Sequence, residues 1–213
     1  MIKSKSLLIA VSVIIVLILK LNTESMANKY IYLTTDIGIS YSGINCTLDD
    51  YWYDGLVLSA GCRLPLFLTE NYISLKTSFE YHYYAFDRGA SIPIQTVDGE
   101  RSVTINGKST SIFSLRCIPT FYIYNESKPT RPFITCGIGI IKRSNTVLKS
   151  DNQYNIDSNL KHESSTILSL GFGLDFKIDA KLRGVIDYNY NIDDSKYDST
   201  HYTIFSFGVA YLL

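Results

Sequence analysis

The last twelve residues of the chain alternate between large apolar and small side chains. They read Tyr-Thr-Ile-Phe-Ser-Phe-Gly-Val-Ala-Tyr-Leu-Leu, from Tyr202 to Leu213. Because successive side chains of a β-strand point to opposite faces, one face of this strand is apolar and the other is nearly bare. Such a strand fits a soluble fold with an apolar core, or a membrane barrel whose apolar face meets lipid and whose small residues line a narrow lumen.

The first 27 residues have the order of a secretory signal peptide. A basic start at Lys3 and Lys5 precedes an apolar run over residues 7–19, and Ser25-Met26-Ala27 offers a small-x-small cleavage site. The run is shorter than the roughly 20 residues that a spanning helix needs. We therefore predict that residues 1–27 are a signal peptide and that residues 28–213 form one mature domain. An uncleaved anchor is the alternative.

Charge excludes one class of partner. The whole chain carries 20 basic and 20 acidic residues, and removing the predicted signal peptide leaves the balance near neutral. A nucleic-acid-binding domain usually carries a basic patch or stripe, so we expect no nucleic acid to bind. Tyrosine is abundant, with 17 residues against a single tryptophan, as in the aromatic bands of membrane barrels.

The period-two alternation recurs and predicts eight strands. They cover residues 29–42, 56–64, 72–84, 110–124, 131–141, 165–178, 182–190 and 202–213. Long polar connections alternate with short turns along the chain. The longest connection, 85–109, contains Asp98-Gly99 and Asn106-Gly107, which both predict tight hairpin turns. Its segments are too short to span a bilayer, so we predict a hairpin outside the membrane, and we predict a polar loop over 142–163.

These features resemble the small eight-stranded outer-membrane barrels of the OmpA/OmpX-like porin family. The resemblance rests on the even strand count, on Arg131-Pro132-Phe133 opening a glycine-rich strand, and on a terminal strand with an aromatic residue third from its end. The family usually ends in Phe, where this chain has Leu213. The resemblance implies an all-β fold, an eight-stranded antiparallel up-and-down transmembrane barrel integral to the bacterial outer membrane.

The resemblance also implies partners. We expect outer-membrane lipid around the barrel, recognition of the terminal strand (205–213) by the barrel-assembly machinery, and a monomer. Periplasmic turns are short and extracellular loops long in such barrels. The connections 43–55, 85–109, 142–163 and 191–200 are therefore expected on the cell exterior.

Ionisable residues fall on the small-residue face of the predicted strands. They are Arg63, Lys76, Glu80, His82, Arg116, Asp175, Lys177, Arg183 and Asp187. In a soluble sandwich that face would be solvated. In an eight-stranded barrel the interior is just wide enough to be filled by side chains, and buried charges must pair. We therefore predict a filled, ion-paired lumen and not an open pore.

The four cysteines do not form a disulfide framework. Cys62, Cys117 and Cys136 lie within apolar strand faces, where cysteine packs as a small hydrophobe, and Cys46 lies in a loop. If Asn125 pairs with Lys128, Cys117 lies opposite Cys136. A bond between them is then a second possibility, although directly opposed Cβ atoms lie about 4.5–5.5 Å apart, longer than the usual separation of about 3.8 Å in a disulfide.

No motif for catalysis, cofactor or metal binding emerges, and we predict that the chain is not an enzyme. His82 is expected as a lumen group beside Glu80. Some small barrels are lipid-modifying enzymes with His and Ser at the rim. His201 and Ser199 are residues of these two types near the mouth of the predicted barrel, but no spacing motif supports a catalytic site there. The acidic segment 193–198 could hold a cation, although such loops are usually only solvated.

The sequence thus predicts an outer-membrane barrel that acts through its extracellular loops, in surface interaction or adhesion, or that supports envelope integrity. Tyr51, Trp52 and Tyr53 are candidate loop contacts, because exposed aromatics often anchor binding surfaces. They could instead lie at the membrane interface. The alternatives are a soluble periplasmic lipocalin-like barrel that binds an apolar ligand and, third, a narrow pore or a rim-site lipid-modifying barrel.

Overall fold

The computed structural model describes residues 31–42, 51–65, 72–96, 99–144, 146–150, 158–160, 164–193 and 201–213. The predicted signal peptide, Cys46, Ser199 and most of the acidic segment 193–198 lie outside these residues, so the expectations that concern them stay predictions. In the described part of the chain, no helix is long and apolar enough to cross a membrane.

Eight strands close into one antiparallel barrel, as the sequence predicts. They are β1 (Tyr32–Ser42), β2 (Gly55–Pro65), β3 (Ile73–Tyr84), β6 (Thr110–Tyr122), β7 (Thr130–Arg143), β10 (Ser164–Lys177), β11 (Leu182–Asp193) and β12 (His201–Leu212). The order around the barrel is β1-β12-β11-β10-β7-β6-β3-β2. Ile37 of β1 pairs with Phe207 on one side and with Leu58 on the other, so the first and last barrel strands meet and no edge is left open.

Four further strands lie in two of the long connections, of which the sequence predicted a hairpin in the first and a polar loop in the second. They are β4 (Ser91–Thr96), β5 (Gly99–Asn106), β8 (Thr146–Ser150) and β9 (Ser158–Leu160). The hairpin predicted in this connection is present, but Thr96 pairs with Gly99, so its ladder closes one residue earlier in the chain than a two-residue turn at Asp98-Gly99 would give. Gly99 has φ +117°, in the region that favours glycine.

The two long connections are joined to each other. β5 pairs with β8, with Asn106 opposite Lys149, and the sheet order is β4-β5-β8-β9. The prediction of a hairpin at Asn106-Gly107 is therefore wrong, because β5 pairs with β8 of another connection and not with β6, the strand that follows it in the chain. A Cβ on Gly107 would run into the ring of Phe86, so this glycine serves a close approach and not a two-residue turn.

At the end of the barrel opposite the long connections, the described strands are joined by short turns. The β6–β7 turn covers residues 123–129 and the β10–β11 turn covers residues 178–181. At the other end β7 and β11 extend further than the alternation predicted, to Arg143 and Asp193. Residues 191–193 therefore belong to the barrel wall and not to the predicted loop. We call the two ends the turn end and the loop end.

The barrel is apolar outside and polar inside. Phe207 is 49% exposed and its neighbour Ser206 only 7%, and Leu170 is 61% exposed beside Ser169 at 3%. The interior contains buried aspartate, glutamate, lysine and arginine side chains. The alternative of a soluble lipocalin-like carrier is therefore wrong, since such a protein keeps its polar side chains outside and an apolar cavity within.

The register between β6 and β7 separates the cysteines that were candidates for a disulfide. Cys117 lies opposite Ile138 and not opposite Cys136. The backbone N–H of Lys128 does donate to the carbonyl of Asn125 (3.3 Å), but the ladder ends at Tyr122 and Phe133, two residues off the register that a tight turn there would give. Cys62, Cys117 and Cys136 are free thiols.

Candidate functional site

The buried charges of the barrel interior form three layers, stacked from the turn end to the loop end. The turn layer is Asp175 with Arg63, Arg131 and Arg183. The central layer is Asp36, Lys76 and Asp187. The loop layer is Glu80, His82 and Arg116. The turn layer draws side chains from four strands, the central layer from three and the loop layer from two. Their contacts link the wall across its diameter, as where Arg116 of β6 reaches Asn191 of β11.

In the turn layer one carboxylate receives three guanidinium groups. Arg63 Nη1 donates to Asp175 Oδ2 at 2.7 Å and Arg131 Nη2 donates to the same oxygen at 2.8 Å. Arg183 Nε donates to Asp175 Oδ1. The guanidinium of Arg131 also lies 4.0 Å from the ring centre of Tyr122, within range of a cation–π interaction. The Asp175 side chain is fully buried, so its charge depends on these partners.

The central layer holds one lysine between two carboxylates. Lys76 Nζ donates to Asp36 Oδ2 at 2.6 Å and lies 3.8 Å from Asp187 Oδ2. A Cβ on Gly208 would meet the Asp36 carboxylate, so this position of the terminal strand has to be bare. The cavity at this level has room for about one water molecule.

The loop layer is centred on Glu80. Arg116 donates to Glu80 Oε1 through Nε at 2.8 Å and through Nη2, while Nη1 reaches Asn191 Oδ1 at 2.9 Å. His82 Nε2 lies 3.2 Å from Glu80 Oε2. Ser114 donates to that oxygen at 3.1 Å. Glu80 is 2% exposed, so this carboxylate is surrounded by donors and removed from water.

An apolar cluster, the loop-end plug, covers the three layers at the loop end. It consists of Trp52, Val57, Tyr84, Ile105, Ile112, Ile141, Ile167, Tyr202 and Ile204. Ile105 comes from β5, so the hairpin outside the barrel contributes to the closure. Ile167, which interrupts the alternation of its strand, faces inward into this plug and is fully buried. Ile167 is apolar although it lies on the inward, mostly polar face of β10, because at its level the lumen is closed by apolar side chains.

The structure brings eight of the nine predicted lumen residues together: Arg63, Lys76, Glu80, His82, Arg116, Asp175, Arg183 and Asp187 are all buried. The assignment of Lys177 to the lumen is wrong, because Lys177 is exposed. It has the inward parity of Asp175 but stands at the last residue of β10, where the side chain reaches water and its charge stays hydrated.

Sequence reasoning missed several interior polar residues. Asp36 and Arg131 belong to the central and turn layers, and Arg143 pairs with the buried Asp193 at 2.7 Å near the loop end. Asp36 shares the parity of Gly38 and therefore carried the same signal as the residues that were found. Asp193 could not be found, because its strand was predicted to end earlier.

The three aromatic loop candidates have three different environments. The prediction that Trp52 is an exposed contact is wrong. Trp52 is 3% exposed, lies in the loop-end plug, and donates its indole N–H to the carbonyl of Lys108 at 2.9 Å. Tyr51 is partly buried against the same plug. Tyr53 is 57% exposed, and its phenol donates to Asp87 at 2.8 Å. This hydrogen bond to a carboxylate raises the pKa of the Tyr53 phenol.

Of the two rim candidates for chemistry, only His201 lies within the described residues. The His201 ring stacks on Tyr190 with 6.1 Å between ring centres. His82 is buried beside Glu80 in the loop layer. Among the described residues there is no group of three or more His, Cys, Asp and Glu side chains able to hold a metal ion.

Comparison with known proteins agrees with this architecture. No curated protein has a sequence that matches the chain significantly. Neisserial surface protein A is 13% identical with a TM-score of 0.55, over 85% of this chain and 96% of that chain. OprG from Pseudomonas aeruginosa is 9% identical with a TM-score of 0.52, over 86% of this chain and 95% of that chain.

At these identities the two structures establish the fold alone. The family is given by the sequence itself, because the model of the outer membrane protein beta-barrel domain matches residues 24–212. The apolar exterior, the closed eight-stranded sheet and the ion-paired interior are what that family requires of a chain in a bilayer. The chain therefore belongs to the outer membrane protein beta-barrel family and is an integral protein of the outer membrane.

Proposed function

We propose that the protein is a non-conducting outer-membrane barrel that acts through the surface formed by its long connections. The observation that carries this proposal is the filled interior, in which three ion-paired layers are covered by the loop-end plug. Moving an ion through this interior would require the buried Glu80–Arg116 and Asp175–arginine contacts to separate, and each unpaired buried charge costs several kcal/mol. The interior of an eight-stranded barrel is only wide enough for its own side chains, so no open path for an ion remains beside these contacts.

The joined sheet β4-β5-β8-β9 supports the second half of the proposal. One face of β5 packs inward, with Val103 and Ile105 at 5% and 1% exposure. The other face presents Ser102, Thr104 and Asn106, which are exposed. Because the inward face is anchored on the loop-end plug, the outward face is an ordered polar surface and not a set of independent loops. Long connections lie on the cell exterior in such barrels.

We expect no conductance steps when the purified wild-type barrel is inserted into planar bilayers. The matched variant is Arg116→Glu, which places a second carboxylate against Glu80. In a closed barrel this change lowers stability without producing a selective current. Steps in the wild type whose ion selectivity changes with Arg116→Glu would contradict the proposal and favour a narrow pore.

The surface half of the proposal predicts that bulky charge on the outward face of β5 abolishes attachment. Cells that express Ser102→Arg, Thr104→Arg protein should attach to an epithelial monolayer no better than cells without the protein, while wild-type cells attach more. Ser127→Arg in the β6–β7 turn is the control, since it adds charge at the other end of the barrel. Heat-modifiable gel mobility checks that every variant is folded. Equal attachment by all strains would favour a role in envelope integrity.

A further inference from the structure

Exposed lysines gather at the turn end of the barrel. Lys128 lies in the β6–β7 turn, Lys181 in the β10–β11 turn and Lys177 at the end of β10, and all three are exposed. The β6–β7 turn contacts the end of β10, because the backbone N–H of Lys177 donates to the carbonyl of Pro129 at 2.7 Å. The three lysines therefore lie at the same end of the barrel, on a surface that we call the turn-end lysine surface.

The acidic side chains of the same turns are directed to internal hydrogen bonds. The Glu126 carboxylate accepts the phenol O–H of Tyr32. Asp179 Oδ1 accepts the backbone N–H groups of Lys181 and Leu182 at 2.6 and 2.8 Å. Both carboxylates hold the turns in shape and keep their negative charge, so the three lysines exceed the acidic side chains of these turns by one positive charge.

The interior beneath this surface adds positive charge. The turn layer has three arginines for one aspartate, and Arg183 reaches out to the carbonyl of Lys128 at 3.4 Å. The described charged side chains of this end are thus Lys128, Lys177, Lys181, Arg63, Arg131 and Arg183 against Asp175, Asp179 and Glu126. An excess of positive charge at one end of the barrel favours an anionic ligand there.

Exposed apolar side chains on the same turns indicate which kind of anion. Ile123, Tyr124 and Ile178 are 60%, 48% and 51% exposed. A turn that stood in the aqueous periplasm would leave this apolar surface in water. Apolar and tyrosine side chains next to lysine are typical of the membrane interface, where the apolar part meets acyl chains and the ammonium group meets headgroups.

We propose that the turn-end lysine surface binds the phosphate of an anionic phospholipid. Lys128 supplies an ammonium donor from the β6–β7 turn and Lys177 supplies one from the end of β10, and Lys181 adds a third charge from the β10–β11 turn. Ile123, Tyr124 and Ile178 lie against the acyl chains of the same leaflet. Basic pockets at the ends of membrane-spanning segments bind anionic headgroups in this way. The site is independent of the surface at the loop end.

Native mass spectrometry of the purified barrel, released from micelles that contain phosphatidylglycerol or phosphatidylcholine, tests this site. We expect the wild type to retain phosphatidylglycerol in preference to phosphatidylcholine. The variant Lys128→Gln, Lys177→Gln, Lys181→Gln should retain at least about tenfold less phosphatidylglycerol, since each lysine near an anionic surface is worth about fivefold in affinity. The matched control removes three exposed cations at the loop end: Arg88→Gln, Lys108→Gln, Lys142→Gln.

The control variant should retain phosphatidylglycerol as the wild type does, and both variants should keep the gel mobility of a folded barrel. Equal losses in the two variants would overturn the site, because net charge alone would then explain binding. Equal retention of the two lipids by the wild type would overturn it as well. If the protein bound purified peptidoglycan through these lysines and showed no preference between the two lipids, the phospholipid proposal would be wrong and the ligand would be an anionic cell-wall polymer.

Discussion

Phe207→Arg is expected to destabilise the barrel, lowering its free energy of unfolding by about 2–4 kcal/mol, the cost of an arginine on the lipid face near the bilayer midplane. Phe207 lies in the middle of β12, is 49% exposed, and pairs with Ile37 and Ile186 on the neighbouring strands. Its side chain therefore meets acyl chains and not the lumen. Urea titration of the protein in lipid vesicles, followed by heat-modifiable mobility, measures the loss.

Tyr211→Arg is the matched control for this change. Tyr211 lies on the same face of the same strand and is 45% exposed, but it stands near the turn end. Arginine near the interface costs only about 0–1 kcal/mol. If both variants lost equal stability, the outward face of β12 would not cross the bilayer with Phe207 at its centre. Ser206→Arg is a poorer comparison, because Ser206 is buried and donates to Asp187.

Asp175→Asn is expected to destabilise the barrel by about 3–5 kcal/mol, the usual cost of removing one partner from a buried ion pair. The substitution keeps the shape of the side chain but leaves Arg63, Arg131 and Arg183 without their shared carboxylate. Three guanidinium groups would then repel one another in a site from which water is excluded. The same urea titration measures the effect, and emission from Trp52, the single tryptophan, reports separately on the loop-end plug.

The control for Asp175→Asn is Glu100→Gln, which neutralises an exposed carboxylate on β5 and should change stability by less than about 0.5 kcal/mol. A second variant distinguishes charge from packing. Asp175→Asn combined with Arg183→Gln removes one of the repelling cations, so it should recover part of the lost stability. A double variant that is less stable than the single would show that packing, and not unpaired charge, governs the turn layer.

The barrel itself could be predicted because its signal is local and repeated. Each strand must show lipid an apolar side chain at every second residue, and this requirement is met within single segments such as 202–213. The period-two pattern therefore identified all eight barrel strands and the inward parity of residues as distant as Arg63 and Asp187. It failed for Lys177, since parity gives the face of a strand and not its depth, and the barrel wall ends before that side chain.

The closure of the loop end could not be predicted, because it depends on contacts between segments far apart in sequence. Trp52 is buried by Phe86 and Ile105, and β5 pairs with β8 across two connections. No residue in these segments shows by its own pattern which other connection it will meet. Likewise, nothing near Asp175 in the sequence indicates that three arginines from β2, β7 and β11 converge on it. The alternation specified a wall with a polar inner face, and the meeting of distant side chains inside that wall decided which charges pair and where the barrel closes.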